Sequence, residues 1–375
     1  MQNNNQSNYF HRIDLYRFIF TIFVIILHFE MFYPTTRFSH YAKSLYRSVD
    51  FFFLLSGFLL FRSFSTRRSE NALDYTFSKI KRFLPLNIVV IIITCVFTTI
   101  EPVTSINKAL NIFQSFIVNL LCAIPNFLFL QLFIPVYENF LPTQSDWFAP
   151  LWYISALLVS GFLWYWILLF LQKKHEEKSN YHAWGLVAAI FIYCYLLQQY
   201  GQLNISLAFA PIFNISTGFL RGFAGMGLGI FCANYKFELK TKKILKIAKV
   251  ILPFFLLGLA FYAKATTIDF IFVFATALVL LFEFSLTEEP KKIIKKICIF
   301  LNKSCLPLYF SHAIVIVFEY TALVKHFPSL RENLLIDIII RIILVFSTAF
   351  AVHWLTKPIT KLLDKFYSHT TTITS

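Results

Sequence analysis

The chain has 375 residues, 58% of them hydrophobic, with 47 phenylalanines, a mean hydropathy of +0.65 and a formal net charge of +15. That much apolar surface exceeds what a water-soluble domain of this size buries, and runs of about 18 or more apolar residues recur, each able to cross roughly 30 Å of hydrocarbon. A β-barrel, which shows short alternating segments, is excluded. So is nucleic acid as the partner of the positive charge, because the cations cluster in short linkers between apolar runs, as topology signals do. Anionic lipid headgroups, or an anionic substrate on the basic side, account for the excess.

The amino-terminal MQNNNQSNYFHR is polar and short, and the first apolar run carries no small-residue cleavage site. No cleavable signal is expected, and that run stays as the first helix. Apolar segments fall at about 13–33, 47–64, 84–100, 112–134, 150–171, 184–200, 211–234, 247–265, 268–285, 297–320 and 335–355, eleven candidates in all. Between them lie basic linkers. Arg62, Arg67, Arg68, Lys79, Lys81 and Arg82 separate the second and third segments. Lys236, Lys240, Lys242, Lys243, Lys246 and Lys249 lead into the segment at 247, and Lys291, Lys292, Lys295 and Lys296 into the one at 297. Lys357, Lys361 and Lys365 follow the last, and QKKHEEK at 172–178 is weakly basic.

All these linkers are expected in the cytoplasm. Eleven crossings break that parity, because three segments separate the 62–82 linker from 172–178. One of the three must turn back, and 112–134, interrupted by Pro125 and dotted with Asn and Gln, is assigned as re-entrant or interfacial. The expectation is an all-α integral membrane protein of about ten transmembrane helices in one bundle. Both termini are placed in the cytoplasm, and residues 135–150 outside the cytoplasmic membrane. A single polytopic domain covers 1–375, with no appended soluble domain. Cys95, Cys122, Cys194, Cys232, Cys298 and Cys305 lie in apolar segments without metal or disulfide spacing. They read as packing residues, and no metal site is expected.

The first segment, RIDLYRFIFTIFVIILHFEMFY, carries Asp14, Arg17 and His28. Arg17 and His28 are eleven residues apart, which returns to nearly the same helix face roughly 16 Å further along. Asp14 and Arg17 are three apart and can pair. Charges in a membrane helix face a bundle interior or a wet cavity, and histidine suits proton transfer near neutral pH. The alternative is that Asp14 and Arg17 anchor the helix at the interface and His28 is a polar residue at its end.

In the second segment, Ser56-Gly57 interrupts an aromatic run. It is either a notch for helix packing or a place for a ligand to approach. Lys79 and Arg82, before Pro85, either hold an anion or enforce topology. Further on, Arg221 precedes a ladder of glycines and is a candidate for a cavity wall. Asp337 and Arg341, four apart, are expected to pair. His353 and Trp354 read as an interfacial anchor.

In this order the pieces resemble the membrane-bound acyltransferase-3 family. Asp14-x-x-Arg17 followed by His28 matches the family's opening. FFFLLSGF, Phe51 to Phe58, matches its aromatic run into Ser-Gly-Phe. Lys79-x-x-Arg82-Phe-Leu-Pro85 matches its basic pair before a proline, with Lys in place of the first Arg. PLWYIS at 150–155 is similar to its Leu-Trp-aromatic motif, and NKSCLPLYFSH, Asn302 to His312, to its carboxy-terminal pattern. One departure is that many members carry a Glu shortly after the Leu-Trp motif, where this chain reads ISALLVS.

The resemblance implies transfer of an acyl group, commonly acetyl, from cytoplasmic acyl-CoA to a hydroxyl of an extracytoplasmic or lipid-linked glycan. His28 is then the general base or a transient acyl carrier, with Arg17 and Asp14 beside it. Ser56, Gly57, Lys79 and Arg82 fall to the donor, acetyl-CoA or another acyl-CoA. Trp152, Arg221, Tyr309 and His312 fall to the acceptor. Glu138, Asp146 and Trp147 in the outer segment are further sugar-contact candidates. Membrane lipids and separate envelope-synthesis proteins complete the expected partners. Two rivals stand beside this reading. One is a polytopic transporter or flippase for an envelope precursor, which performs no chemistry. The other is a sensor or scaffold in an envelope-synthesis complex.

Overall fold

The computed structural model describes residues 10–29, 37–66, 71–101, 109–133, 150–174, 180, 182–205, 209–210, 215–235, 242–262, 267–285, 290–318, 326 and 334–373. Helices account for nearly all of them. In chain order they are α1 (His11–Phe29), α2 (Ser48–Thr66), α3 (Ala72–Ile100), α4 (Ile112–Cys122), α5 (Trp152–Lys174), α6 (Ala183–Tyr200), α7 (Thr217–Ala233), α8 (Lys242–Phe261), α9 (Ile268–Ser285), α10 (Lys292–Phe318) and α11 (Leu334–Ile373). A short helix Arg37–Ala42 and a 3₁₀ turn Lys43–Arg47 lead into α2. A two-residue antiparallel ladder pairs Phe209 with Ser216 and Ala210 with Ile215 ahead of α7, where the sequence predicts helix from about 211.

Each of the eleven apolar segments holds a helix, so the chain is an all-α, multi-pass membrane protein. By length and composition, seven of the described helices can cross a membrane: α2, α3, α5, α6, α9, α10 and α11. The rest fall short for identifiable reasons. α1 packs Arg12, Asp14 and Arg17 into 19 residues. α4 has 11 residues and α7 has 17. The apolar part of α8 is only Val250–Phe261. α3 and α11 run well past their apolar segments, through Pro85 and Pro358 respectively. The expected outer segment lies outside the described residues up to 149.

Two compact units divide the chain, Met1–Ala72 with Val159–Cys305 and Leu73–Leu158 with Leu306–Ser375. In the first, glycines set the packing of α2, α6 and α7. A Cβ on Gly57 would strike the Met226 carbonyl, and one on Gly227 would sit 2.7 Å from the Gly185 carbonyl. Trp164 stacks on Phe223 at 4.5 Å and donates to the Phe223 carbonyl. Gly229→Ala places a methyl 2.8 Å from the Phe58 nitrogen, whereas Gly258 has open space. Overpacking of this kind costs about 1–3 kcal/mol, and Gly→Ala in an unobstructed helix gains up to about 1 kcal/mol. Thermal unfolding in detergent should therefore show Gly229→Ala melting lower and Gly258→Ala no lower than wild type.

Two polar clusters close the ends of this unit. At one end Arg12 pairs with the buried Glu283 at 2.9 Å, and the Tyr16 hydroxyl donates to the same carboxylate at 3.1 Å. Arg62 lies over the rings of Phe10 and Phe284 there. At the other end Asp269 accepts from Arg47 Nε at 2.7 Å, the Tyr46 hydroxyl at 2.6 Å and the Leu203 amide at 2.8 Å. Beside it Arg221 grips Asp50 through two nitrogens at 2.8 and 2.7 Å. All four charged side chains of this double pair are fully buried.

His182, just ahead of α6, packs near Phe61, Phe231 and Tyr235, and the Asn234 amide donates to its Nε2 at 3.1 Å. Burial lowers its pKa, so the folded ring stays neutral below its ordinary value. A depressed histidine contributes stability above the unfolded value of about 6.5, and that contribution is lost as pH falls through it. His182→Gln should flatten the drop in melting temperature between about pH 6.5 and 5.

In the second unit α4 is inside out. Its buried residues are Ser115, Asn119 and Cys122, while Ile112, Ile117, Leu121 and the 73% exposed Phe113 face outward. A helix with its polar stripe in and its apolar stripe out needs an apolar solvent. The Asn119 amide donates to Thr98 Oγ1 at 3.1 Å and Thr99 Oγ1 at 2.9 Å, tying α4 to α3. An Asn111–Gln114 capping box closes its amino end. In α11, Arg341 Nε donates to Asp337 at 2.6 Å, the pair that the spacing predicts. Further along the same helix the Lys357 ammonium lies 4.1 Å over the exposed ring of Trp354.

Candidate active site

The site is built on α1. Asp14 lies in the first turn, where the helix dipole favours an acid, and His28 in the last. Between them Asp14, Arg17, Thr21 and His28 recur at three-, four- and seven-residue steps and form one polar stripe. Arg17 Nη1 reaches Asp14 Oδ1 at 3.4 Å, as the spacing suggests, and Asn302 Oδ1 at 3.2 Å. Arg17 keeps 24% side-chain exposure while Asp14 is buried. The Thr21 hydroxyl donates to the Arg17 carbonyl at 2.8 Å. Two separate motifs of the sequence, the opening of α1 and the Asn302 stretch of α10, thus meet in one place.

His28 is half-buried, with Nδ1 2.7 Å from the Val24 carbonyl. A carbonyl only accepts, so Nδ1 carries the proton and Nε2 holds the basic lone pair of the neutral ring. Earlier in the same helix Phe20 stacks on Phe51 at 4.4 Å and Phe23 meets Phe261 at 4.9 Å.

Two expected site residues of the first unit are occupied structurally. Gly57 is closed by the backbone of Met226, so its notch serves packing of α2 on α7, while the neighbouring Ser56 is half-buried. Arg221, the expected cavity-wall residue, has its guanidinium taken up within the protein. It is fully buried and donates to Asp50 and to the carbonyls of Leu203 and Tyr46.

The second unit holds Lys79, Arg82, Trp152, Tyr309 and His312. Lys79 lies 5.1 Å over the Tyr75 ring, and Arg82 is exposed on the same helix. Trp152 opens α5. Just before it, the Tyr309 hydroxyl donates to the Pro150 carbonyl, and Gln131 Nε2 donates to the Leu151 carbonyl at 2.7 Å. His312 is buried with Nδ1 against the Tyr309 carbonyl. Trp152, Tyr309 and His312 therefore belong to one neighbourhood. Glu138, Asp146 and Trp147 lie outside the described residues.

Sequence reasoning passed over Thr21, Asp50, Asp269 and Glu283, and met Asn302 only as the start of a motif. Glu283 carried a signal, an acid inside the apolar run LVLLFEFS. Asp50 and Asp269 stand at the heads of apolar runs, where an acid reads as an ordinary helix start. Among the described residues no group of three or more His, Cys, Asp or Glu side chains is placed to hold a metal ion.

A multi-pass helical membrane protein with an acid, a guanidinium and an imidazole along one helix face defines the class. The acyltransferase-3 family model, described as an acyltransferase domain, matches residues 10–357, and the chain belongs to that family. It is an acyltransferase of the O-acyltransferase type. No curated protein and no solved structure matches it.

Proposed function

We propose that the chain moves an acyl group, acetyl first among the candidates, from cytoplasmic acyl-CoA to a hydroxyl of an extracytoplasmic or lipid-linked glycan. The observation that carries this reading is the α1 stripe, with Arg17 anchored near one end and the lone-pair nitrogen of His28 toward the other. His28 Nε2 takes the proton of the acceptor hydroxyl as its oxygen attacks the thioester carbonyl. The C–O bond forms, the C–S bond breaks, and the proton passes to the departing thiolate. In a two-step variant the same nitrogen carries the acyl group between donor and acceptor. Arg17 and Ser56 are proposed to serve the donor. Lys79 and Arg82 are proposed for the donor phosphates, and Trp152, Tyr309 and His312 for the acceptor.

The orientation is proposed with it. Arg12 and Arg62 mark one end of the first unit and the Arg47–Asp269 pair the other. Positive-inside reasoning sets the Arg12 end, and both termini, in the cytoplasm of a cell membrane. About ten helices cross, with the segment 112–134 interfacial or re-entrant, a reading supported by an 11-residue α4 that spans only roughly 16 Å. The whole chain works as one acyltransferase domain.

Purified protein in liposomes with labelled acetyl-CoA tests the reading. Release of free CoA that rises when a glycan acceptor is added supports it. Transport of an envelope precursor without any thioester cleavage overturns it.

A further inference from the structure

We infer that Asn302 is a positioning residue for Arg17, aiming its guanidinium at an anionic group of the donor; this rests on the acyl-transfer reading above. Within the first unit two stripes meet at Arg17. Asp14, Arg17 and Thr21 share one face of α1, Cys298, Asn302 and Cys305 share one face of α10, and Asn302 accepts from Arg17 across the contact. The spacings are i, i+3, i+7 on one helix and i, i+4, i+7 on the other, so each stripe stays on one face. Arg17 Nη1 is shared by two acceptors, Asp14 Oδ1 at 3.4 Å and Asn302 Oδ1 at 3.2 Å. The shorter contact is the neutral one.

Chemistry explains why an amide suits that position. Asp14 already supplies one negative charge. A second carboxylate would hold the guanidinium as well as an amide does, but it would leave the group with an excess of negative charge and repel an anion. Asn302 fixes the plane of Arg17 without adding charge. A residue that merely packed would show the opposite preference, because Asp has nearly the shape of Asn.

The test compares Asn302→Ala, Asn302→Asp and the wild type, each as the full chain in detergent. Protection against thermal unfolding is read as a function of adenosine 3′,5′-bisphosphate and of CoA, beside the KM for acyl-CoA. The expected result is that Asn302→Asp weakens the anion response about tenfold or more, and by more than Asn302→Ala does. In an Arg17→Gln background Asn302→Asp should add almost nothing. Asn302→Asp behaving as wild type, a penalty that persists without Arg17, or a wild type that neither anion protects would each overturn the inference. If Asn302→Asp does not fold, Asn302→Gln against Asn302→Leu reads the same contact, and equal anion responses in those two would overturn it. Failure of the acyl-transfer reading looks different: the anions protect wild type in an Arg17- and Asn302-dependent way, yet no thioester is cleaved.

Discussion

His28→Ala is expected to lower acyl transfer by about 10²–10⁴-fold, the usual cost of losing a positioned acid–base group, while the protein still inserts and folds. The ring is half-buried at the end of α1, and the core contacts of that helix, Phe20 on Phe51 and Phe23 on Phe261, do not depend on it. Removing it also deletes the hydrogen bond to the Val24 carbonyl, a contact within one helical turn, worth about 1 kcal/mol. Thioester cleavage and labelling of the protein by radioactive acyl-CoA, measured together, separate the two chemical roles. Label retained by wild type and absent from His28→Ala selects the acyl carrier. Cleavage that disappears without label ever accumulating selects the general base. Wild-type turnover in His28→Ala would remove the residue from the mechanism altogether.

The second large effect is on stability. Asp269→Ala should destabilise the protein by about 3–5 kcal/mol, the range for breaking one side of a buried ion pair, and is expected to lower its accumulation in the membrane. Three donors converge on that carboxylate, from Arg47, Tyr46 and the Leu203 amide. Arg47 also donates to the carbonyls of Leu259 and Tyr262, so the cluster joins the turn before α2, the end of α6, the end of α8 and the start of α9. Without Asp269 the buried Arg47 loses the carboxylate that its Nε bonds at 2.7 Å. An exposed pair supplies the contrast. Lys81 and Asp364 lie 2.8 Å apart, with 40% and 58% of their side chains exposed. Pairs of that kind contribute about 0–1 kcal/mol, so Lys81→Ala should melt within a few degrees of wild type. Chemical unfolding in mixed detergent measures both, and equal losses would show that burial is not what gives the Asp269 cluster its strength.

The double ion pair also supplies what the sequence left open at Arg221. An arginine in an apolar run signals a buried role of some kind, and a catalytic cavity and a structural partner leave the same local mark. Only Asp50, 171 residues away, distinguishes them. The same holds for Gly57. A small residue among phenylalanines announces close approach, but whether a ligand or Met226 does the approaching depends on where α7 lies. The seven clear spans, against about ten expected, have a related origin. Of the ten, α1 carries three charges in 19 residues, α7 has only 17 residues, and the apolar part of α8 is confined to Val250–Phe261.

Local chemistry was enough for the features that repeat within a few turns of chain: eleven apolar runs that each became a helix, the face shared by Asp14, Arg17 and His28, the Asp337–Arg341 pair, and the order of motifs that marks the family. These follow from a period of about 3.6 residues per turn and from the cost of polar groups in hydrocarbon. Which distant residue answers each arginine came from the packing of the helices: Asp269 for the buried Arg47, Asp50 for the buried Arg221, Glu283 for Arg12 and Asn302 for Arg17. A desolvated charge requires a partner but does not specify one. The choice falls to whichever helices the glycine contacts and aromatic stacks bring alongside, and those contacts join positions more than a hundred residues apart.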